Sequence, residues 1–522
     1  MRSPFPDLTI PDGSVFEYLF GDLGDDADRV VLVDGESGAP TTLAELRRQV
    51  ERLAGALAAR GIRPGDVVAL HSPNVPEFAT ALHGILRAGA AATTVNVAAD
   101  AEELADQLRD SGASLLFTVG ALLPQASEAA RAAGLAPDRL VLLDGGEGHA
   151  TLHDLLAEDA PAPDVSLDPA THVAVIPYTS GTTDHPMGAC LTHRNLIANV
   201  EQMRAVNDAS AADVVLASQP FFHIYGLTVL LNLAVKLRAQ LVTMSGFDVP
   251  RFLSLIERYR CTYVSVAPPV AVVLAKHPLV DEHDLSSVRE VFFGGAPLDE
   301  GLAAQVEERL DVDVRQGYGL TEASPVTHVV PSDRDDISRG SIGLPVPNTE
   351  ARLVDLDSGF DVERPLSGAS RVGELLVRGP QVMLGYLGDA DATRRVLDDD
   401  GWLHTGDIAR MGEQGEFYVV DRLRELIRVD GEHVAPAELE ALLLQHPEIA
   451  DAAVVGATDD AGREFPKAFV VRARDSALDE QAVLEFVAEN ADEHKRVRAV
   501  AFVDAVPKSA SGKILRRHLR GL

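Results

Sequence analysis

Strand-like and helix-like segments alternate along much of this chain, and that alternation limits the folds available to it. Residues 42–60 (TLAELRRQVERLAGALAAR) carry apolar side chains at helical spacing, and GIRPGD follows as a stop signal. VVALHS then indicates a buried strand and PEFATALHGILRAGA a helix, and TTVNV, AEELADQLRDSG, LLFTV and LVLLD continue the order. Such alternation is typical of a parallel sheet with helices on its faces, so we predict an α/β fold.

A second alternating block covers about residues 213–330, and the pattern then changes twice. From about residue 340, short β segments with glycine turns appear, such as GELLVRG and GEFYVVD. The tail after Asp421 has the order βαββαβ. We therefore predict a large N-terminal domain of stacked α/β subdomains with a small β-barrel-like part, residues 1–421. A small mobile C-terminal α+β domain follows, residues 422–522.

Composition excludes several classes of protein. With 522 residues, 46% of them apolar, the chain can bury a sizeable core. The net charge of −34 repels nucleic acid and anionic lipid. Cys190 and Cys261 form no disulfide framework, the N-terminus lacks a signal-peptide pattern, and the apolar stretch near 226–235 is too short to span a bilayer. We expect a cytoplasmic monomer or homodimer that binds neither nucleic acid nor membrane.

A loop rich in hydroxyl groups follows the predicted strand VAVIP. It reads TSGTT at 179–183. Its glycine lets the backbone approach a ligand closely, and successive backbone N–H groups can bind the anionic groups of that ligand. The loop lacks the Gly-Lys-Ser/Thr of a Walker motif, and no Gly-x-Gly-x-x-Gly loop follows a strand. Taken alone, TSGTT is equally compatible with an ordinary polar turn.

Four further motifs supply groups suited to a nucleotide. GYGLTEASP (317–325) offers Thr321 and Glu322 to Mg²⁺ and phosphate, and GWLHTGD ends in Asp407, a carboxylate for ribose hydroxyls. DRLRELIR supplies Arg422, and PKSASGKILRR supplies Lys513. Only six of the 46 basic residues are lysine, so a lysine at this motif position is a specific signal.

These five stretches, in this order, resemble the adenylate-forming superfamily of acyl-CoA synthetases, adenylation domains and luciferases. PFFHIYGL (220–227), AKHPLV (275–280) and VAPAELE (434–440) look most like 4-coumarate:CoA ligases. The resemblance implies that ATP and a carboxylate give an acyl-adenylate and pyrophosphate. The C-terminal domain then turns about a hinge, and a nucleophile, usually the CoA thiol, displaces AMP. The implied cofactors are ATP and Mg²⁺, and use of CoA stays open.

The resemblance also implies a role for each residue at a matching position. Lys513, Glu322 and His223 would be catalytic, and Arg424 falls at the hinge. Glu322 and Thr182 would hold the metal. The aryl pocket would be lined by Tyr225, Gly294, Pro325 and Val326. ATP would be bound by Thr179, Ser180, Gly181, Thr182, Thr183, Gly317, Tyr318, Gly319, Thr321, Asp407 and Arg422.

Two stretches depart from the pattern of that superfamily near the ligand phosphates. Asp184 and Met187 stand where the loop normally has glycine and lysine, so we expect ATP binding with a weaker grip on phosphate. At 428–433 the chain reads RVDGEH, where coumarate ligases typically read KYKGFQ. Asp430 and Glu432 would repel the polyanionic CoA.

A third departure is Phe293, which replaces a small residue at the start of GGAPL and is expected to narrow or reshape the aryl pocket. Together the departures favour an ATP-dependent diazotase, a branch of the superfamily that activates nitrite and converts a 3-aminocoumarate-like amine to a diazo compound. The alternatives are a hydroxycinnamate:CoA ligase or adenylation with another acceptor. Lys513 and Glu322 argue against a non-catalytic protein.

Overall fold

The structure, a computed structural model, describes residues 1–146, 148–179, 186–429, 432–459, 463–474, 476–508 and 514–520. Two compact units divide the chain. The first comprises Met1–Ala351 and Val377–Leu403, and the second Arg352–Leu376 and His404–Leu522. Within the described ranges, no helix is both long enough and apolar enough to cross a membrane.

Helices and strands alternate through the first unit as the sequence predicts. The α-helices of the described residues are α1 (Val15–Phe20), α2 (Leu43–Ala59), α3 (Pro76–Arg87), α4 (Ala101–Ser111), α5 (Leu123–Ala132), α6 (Leu152–Ala157), α7 (His193–Val206), α8 (Leu233–Leu237), α9 (Val249–Tyr259), α10 (Pro268–Lys276), α11 (Glu300–Leu310), α12 (Ala390–Val396), α13 (Pro436–Leu443) and α14 (Glu480–Asn490).

The strands of the described residues are mostly short. They are β1 (Val30–Asp34), β2 (Pro40–Thr42), β3 (Val67–His71), β4 (Ala91–Thr94), β5 (Ala113–Thr118), β6 (Leu140–Leu142), β7 (Ala150–Thr151), β8 (Val173–Val175), β9 (Tyr178–Thr179), β10 (Met187–Thr192), β11 (Val214–Ala217), β12 (Gln240–Thr243), β13 (Tyr263–Val266), β14 (Glu290–Phe293), β15 (Asp313–Gly319), β16 (Val326–Val329), β17 (Leu344–Pro345), β18 (Glu350–Val354), β19 (Gly373–Arg378), β20 (Gly385–Tyr386), β21 (Leu403–Met411), β22 (Phe417–Arg422), β23 (Ile427–Val429), β24 (Glu432–Val434), β25 (Ile449–Thr458), β26 (Glu464–Arg472) and β27 (Ala499–Phe502).

Two large sheets build the first unit. One has the order β17-β16-β15-β14-β13-β11-β12-β1-β2, and its strands from β15 to β1 run parallel. The other has the order β20-β10-β8-β4-β3-β5-β6-β7, with β9 added on β10, and its strands from β8 to β7 run parallel. This agrees with the predicted parallel sheets and their stacked α/β subdomains.

Side-chain alternation gives the two faces of the first sheet different characters. Val264, Val291, Phe293 and Val314 lie in the apolar core beneath α9, α10 and α11. Because successive residues of a strand point to opposite faces, their neighbours Tyr263, Ser265 and Phe292 lie on the other face. The aromatic and hydroxyl side chains of this second face bear on the candidate active site.

The second unit contains the remaining sheets. Among its described residues, β25-β26-β27 form a three-stranded sheet, β23-β24 a hairpin, and β18-β19-β21-β22 a four-stranded sheet in the part predicted to resemble a β-barrel. α13 and α14 pack on apolar residues of β25 and β26. The predicted βαββαβ tail is confirmed, with β24 as an additional strand. The division into domains at residues 421/422 stays a prediction.

Local signals in the sequence explain where individual elements begin and end. α4 starts with a capping box, in which the Asp100 side chain accepts from the N–H groups of Glu102 and Glu103 while Glu103 accepts from the N–H of Asp100. It ends at Gly112, whose φ of 63° lies in the left-handed region that glycine adopts without strain.

We predict that Asp100→Ala lowers the free energy of unfolding of the first unit by about 1 kcal/mol, because two helix N–H groups lose their acceptor. The measurement is the midpoint of thermal unfolding of the whole chain. Asp106→Ala is the matched control, since Asp106 lies on the same helix and forms an exposed ion pair with Arg109. Equal shifts in both variants would contradict the capping assignment.

Candidate active site

The hydroxyl-rich loop connects the two strands of a hairpin. β9 and β10 are antiparallel, with Thr179 opposite Met187 and Tyr178 opposite Gly188. A Cβ at position 188 would lie 2.8 Å from Ile176 Cγ2 and 3.1 Å from the Tyr178 ring, so glycine is required for this packing. Ser180, Gly181, Thr182, Thr183 and Asp184 lie outside the described residues, and their predicted contacts with ATP stay predictions.

Tyr178 anchors the base of this hairpin to the helix α4. Its hydroxyl donates to Asp110 Oδ2 on α4 at 2.5 Å. Met187, the residue in place of the usual loop lysine, is half-buried at the first position of β10. Met187 brings no positive charge to the end of the loop.

Glu322 lies in a short turn directly after β15 and is only 7% exposed. Its Oε1 accepts a hydrogen bond from the Tyr386 hydroxyl at 2.7 Å, and its main-chain oxygen accepts from Met383 N–H at 2.8 Å. Tyr386 lies on β20, opposite Ala189 of β10. The strand that leaves the hydroxyl-rich loop is therefore joined, through β20, to the carboxylate predicted to hold Mg²⁺.

The surroundings of Glu322 fit a magnesium ion that takes most of its ligands from ATP. The described residues contain no cluster of three or more carboxylate, histidine or cysteine side chains able to form a protein-only metal site. Mg²⁺ in nucleotide enzymes typically takes one or two carboxylates, phosphate oxygens and water. Glu322 can supply that one carboxylate, and Thr182, the second predicted ligand, lies outside the described residues.

The glycines around Tyr318 allow a close approach of neighbouring segments. A Cβ at position 317 would lie 2.6 Å from Phe292 Cζ, and one at position 319 would lie 2.1 Å from the Pro325 oxygen. The half-buried Tyr318 ring meets the His328 ring edge-on, with 5.9 Å between centroids. Thr321 is also half-buried, in the turn that carries Glu322. This arrangement is compatible with the predicted adenine contact of Tyr318.

Two of the predicted aryl-pocket residues, Tyr225 and Gly294, are neighbours at the carboxyl end of β14. Gly294 lies against Tyr225, since a Cβ there would be 3.0 Å from Tyr225 Cζ. Pro325 and Val326 are buried, and Asn199 holds Val326 by two hydrogen bonds, of 2.7 Å to its oxygen and 3.0 Å from its N–H. Tyr225 directly precedes a π-helix, Gly226–Asn232, a rare conformation that is frequent at functional sites.

His223 has an exposed side chain, yet the protein around it lowers its pKa by desolvation. Its Nδ1 accepts from the Tyr225 N–H at 3.2 Å. The neutral imidazole therefore carries its proton on Nε2.

Phe293 does not narrow the aryl pocket as predicted. It is fully buried in the core under the helices, on the face of β14 that points away from Tyr225. Phe292 takes the predicted position instead, with its ring centroid 6.5 Å from that of Tyr225 and 6.5 Å from that of Tyr263. The error is one residue, which in a strand exchanges the two faces.

In the second unit, the two predicted ribose-binding residues are neighbours. Asp407 on β21 and Arg422 on β22 are opposite each other, and Arg422 Nε lies 2.8 Å from Asp407 Oδ1. Asp407 is 3% exposed, and its N–H donates to Thr405 Oγ1 at 3.0 Å. Arg424, predicted at the hinge, follows in a short turn where its Nε lies 3.5 Å from Glu425 Oε1.

Lys513 lies outside the described residues, but both ends of the segment that carries it are fixed within the second unit. Lys508 pairs with Ile514 as an antiparallel bridge, and Lys508 Nζ lies 2.7 Å from Asp451 Oδ2. Arg516 donates to both carboxylate oxygens of Glu440, at 2.9 and 2.7 Å. Burial raises the pKa of Glu440, and the Arg516 guanidinium opposes that shift.

The segment predicted to receive CoA is a hairpin formed by β23 and β24. Arg428 is opposite His433, and its Nε lies 3.4 Å from His433 Nε2. Arg428 and Glu432 are both exposed, while Val429 is buried. Asp430 and Gly431 lie between the strands and outside the described residues.

Sequence comparison places the chain in a family. The profile of the AMP-binding enzyme family matches residues 23–387, and that of the AMP-binding enzyme C-terminal domain matches residues 438–513. A rice protein (Oryza sativa subsp. japonica) named 4-coumarate–CoA ligase 5 is 39% identical over 530 residues, which cover 99% of this chain and 96% of the relative. The chain belongs to the AMP-binding enzyme family and is an adenylate-forming ligase.

Solved structures confirm the predicted fold class. ATP-bound MatB from Rhodopseudomonas palustris is 27% identical, with a TM-score of 0.88 over 98% of this chain and 99% of that chain. The anthranilate CoA ligase AuaEII, in complex with anthranoyl-AMP, is 26% identical, with a TM-score of 0.87 over 98% of each chain. The likeness to 4-coumarate:CoA ligases and the use of ATP are confirmed. These relatives give no support to the diazotase branch.

Sequence reasoning missed several residues that position the site, chiefly Tyr386, Ser265 and Asn199. Tyr386 is 64 residues from Glu322 along the chain, and Ser265 is 40 residues from Tyr225. A tyrosine near the carboxyl-terminal end of the first unit is not a signal by itself. Only strand pairing, which sequence periodicity does not specify, brings it to the carboxylate.

We predict that Tyr386→Phe lowers the rate of ATP–pyrophosphate exchange about ten-fold, because the buried Glu322 carboxylate loses a donor that fixes its orientation. The assay is isotope exchange at saturating acid substrate. Tyr418→Phe is the matched control, since it also removes a tyrosine hydroxyl, but one that donates to Glu416 and not to Glu322. An exchange rate equal to wild type in Tyr386→Phe would refute this role.

We also predict that Met187→Lys lowers the KM for ATP several-fold, because a cation at the end of the loop attracts the triphosphate. Met187→Leu controls for the change of shape and is expected to leave KM unchanged. Steady-state kinetics with varied ATP provide the measurement. An unchanged KM in Met187→Lys would mean that phosphate binding no longer depends on this position.

Proposed function

We propose that the protein is an aryl acid:CoA ligase, which adenylates an aromatic carboxylate with ATP and transfers the acyl group to CoA. The proposal rests on one arrangement in the first unit. A buried carboxylate, Glu322, is oriented by Tyr386 on the strand that pairs with the exit strand of the hydroxyl-rich loop. That arrangement suits a nucleotide phosphate chain with a metal ion beside it.

In the proposed first step, a carboxylate oxygen of the acid attacks the α-phosphorus of ATP. A new P–O bond forms, the bond to the pyrophosphate oxygen breaks, and pyrophosphate leaves with the bonding electrons. Charge accumulates on the phosphate oxygens, so catalysis depends on positioned cations and donors. Mg²⁺, when bound, would neutralise part of this charge, and Lys513 would supply a second cation. The phosphates would be bound by Thr179, Ser180, Gly181, Thr182, Thr183 and Thr321.

The nucleoside would be held by Tyr318 through its ring, with Gly317 and Gly319 allowing the approach. In the second unit, Asp407 would accept from ribose hydroxyls while Arg422 orients its carboxylate. Their 2.8 Å ion pair supports this assignment, because an arginine that contacts one carboxylate oxygen fixes the direction in which the carboxylate points.

The acid substrate would occupy the space lined by Tyr225, Gly294, Pro325 and Val326, with His223 at its edge. Glycine at 294 and the aromatic rings of Tyr225 and Phe292 fit a flat ring. The two relatives that bear on the substrate are named for 4-coumarate and anthranilate, both aromatic acids. A hydroxycinnamate-like aromatic acid is the substrate class that we propose.

In the second step, the CoA thiolate attacks the acyl carbon and a C–S bond forms. The bond between the acyl carbon and the phosphate oxygen of AMP breaks, and AMP leaves with the bonding electrons. A second candidate function is the nitrite-dependent diazotase, in which an aromatic amine is the acceptor. One observation favours it: the exposed Glu432 and the neighbouring Asp430 make the 427–434 hairpin less attractive to a polyanion.

One competition assay tests the proposal. It contains ATP, Mg²⁺, CoA, nitrite, 4-coumarate and 3-amino-4-hydroxycinnamate, and mass spectrometry identifies the products. We expect a CoA thioester formed together with AMP. Lys513→Ala should abolish thioester formation, while Lys495→Ala, which removes a lysine paired with Glu438, should not.

Each other outcome counts against the proposal. A nitrite- and ATP-dependent diazo compound with CoA unchanged would replace the ligase by the diazotase. Acid-dependent ATP–pyrophosphate exchange without either product would mean that another nucleophile is the acceptor. No exchange with any acid would remove the aryl acid as substrate.

A further inference from the structure

Two buried hydroxyl groups meet close to Gly294, one of the residues of the proposed aryl pocket. Tyr225 Oη and Ser265 Oγ are 2.6 Å apart, and either atom can be the donor. Tyr225 is 6% exposed and Ser265 is 0% exposed. Nothing in the sequence motifs points to Ser265, which lies on β13 in the face of the sheet opposite the helical core.

The surroundings of this pair are mostly apolar. Phe292 and Gly294 of β14 lie beside the Tyr225 ring. Ser218 Oγ donates to the main-chain oxygen of Ser265, which ties β11 to β13 but leaves the Ser265 hydroxyl available to Tyr225. Burial raises the pKa of Tyr225, so its hydroxyl stays protonated at neutral pH.

We propose that Ser265 is a positioning residue, which acts through Tyr225 and broadens the range of aryl acids that the pocket accepts. This inference rests on the proposed function. The two hydroxyls satisfy each other when the substrate ring carries no polar group. A hydroxyl or amine on the ring can meet a Tyr225 hydroxyl in either role. If Tyr225 donates to Ser265, its oxygen accepts from the substituent, and if Ser265 donates to Tyr225, the Tyr225 hydroxyl donates to the substituent.

The physical basis is the cost of an unpaired buried hydroxyl. A pocket built to hydrogen-bond a substrate group usually rejects the analogue that lacks it, because its own polar atom is then left unpaired. Ser265 removes that penalty by acting as an internal partner. Without Ser265, only an acid with a polar ring substituent satisfies Tyr225, so discrimination against an unsubstituted acid should rise about ten-fold.

The test compares 4-hydroxycinnamate with cinnamate in ATP–pyrophosphate exchange and in calorimetric binding. In Ser265→Ala, the ratio of kcat/KM for 4-hydroxycinnamate to that for cinnamate should rise about ten-fold, through loss of cinnamate activity. Ser265→Thr, which keeps the hydroxyl, should return the ratio toward wild type. Ser218→Ala, which removes a hydroxyl from the adjacent strand without touching Tyr225, should leave the ratio unchanged.

A double-mutant cycle isolates the route through Tyr225. In the Tyr225→Phe background, Ser265→Ala should change the ratio less than about three-fold, because the group that Ser265 positions is gone. An equal loss with both acids in Ser265→Ala would show a merely structural role and overturn the inference. So would an unchanged ratio in an enzyme that still adenylates both acids.

The two proposals fail in different ways. If wild type neither binds nor adenylates any of these acids, the proposed function is lost and this inference with it. If wild type adenylates them and the ratio ignores Ser265, only the inference is lost.

Discussion

The hydrogen bond from Tyr386 to Glu322 is the contact on which the geometry of the first unit's site depends. A carboxylate that is 7% exposed needs a donor, because an ionised group buried without one is expensive. The donor comes from β20, which is a partner strand of β10, the strand that leaves the hydroxyl-rich loop. The two-residue strand β20 therefore fixes the position of the Glu322 carboxylate relative to the base of the loop. A shift of β20 would move the carboxylate and the base of the loop together.

Glycines have a comparable positioning role in the proposed aryl pocket. Gly317 admits the ring of Phe292 at a distance that a Cβ would forbid, and Gly294 admits the ring of Tyr225 at a distance that would be tight for a Cβ. Large aromatic side chains can then fill the face of β14 and β15 without displacing the strands. The proposed pocket would thus be shaped by pairs of one glycine and one ring, and its chemical preference would come from the few hydroxyls among them.

Much of the fold was predictable because hydrophobic periodicity reports burial directly. The predicted helix at 42–60 is α2, capped by Thr42, and the segment VVALHS contains β3. The site was less accessible to such reasoning. Motifs identified Glu322, but its partner Tyr386 depends on pairing between β10 and β20, which no local pattern specifies. Whether Phe292 or Phe293 faces Tyr225 depends on the alternation of side chains along β14, and an error of one residue places a side chain on the wrong face.

The strength of charge–charge interactions in water limits the effect that the altered 427–434 hairpin can have on the choice of acceptor. Glu432 is exposed, and exposed charges in water interact by roughly 1 kcal/mol or less and are screened beyond about 8 Å at physiological salt. The exposed Arg428, on the partner strand of the same hairpin, offsets part of that repulsion. Such changes alter the affinity for CoA by a modest factor, whereas a change of acceptor requires a new binding site for the amine. Charge alone on this hairpin therefore argues for a ligase with weaker CoA binding rather than for a different reaction.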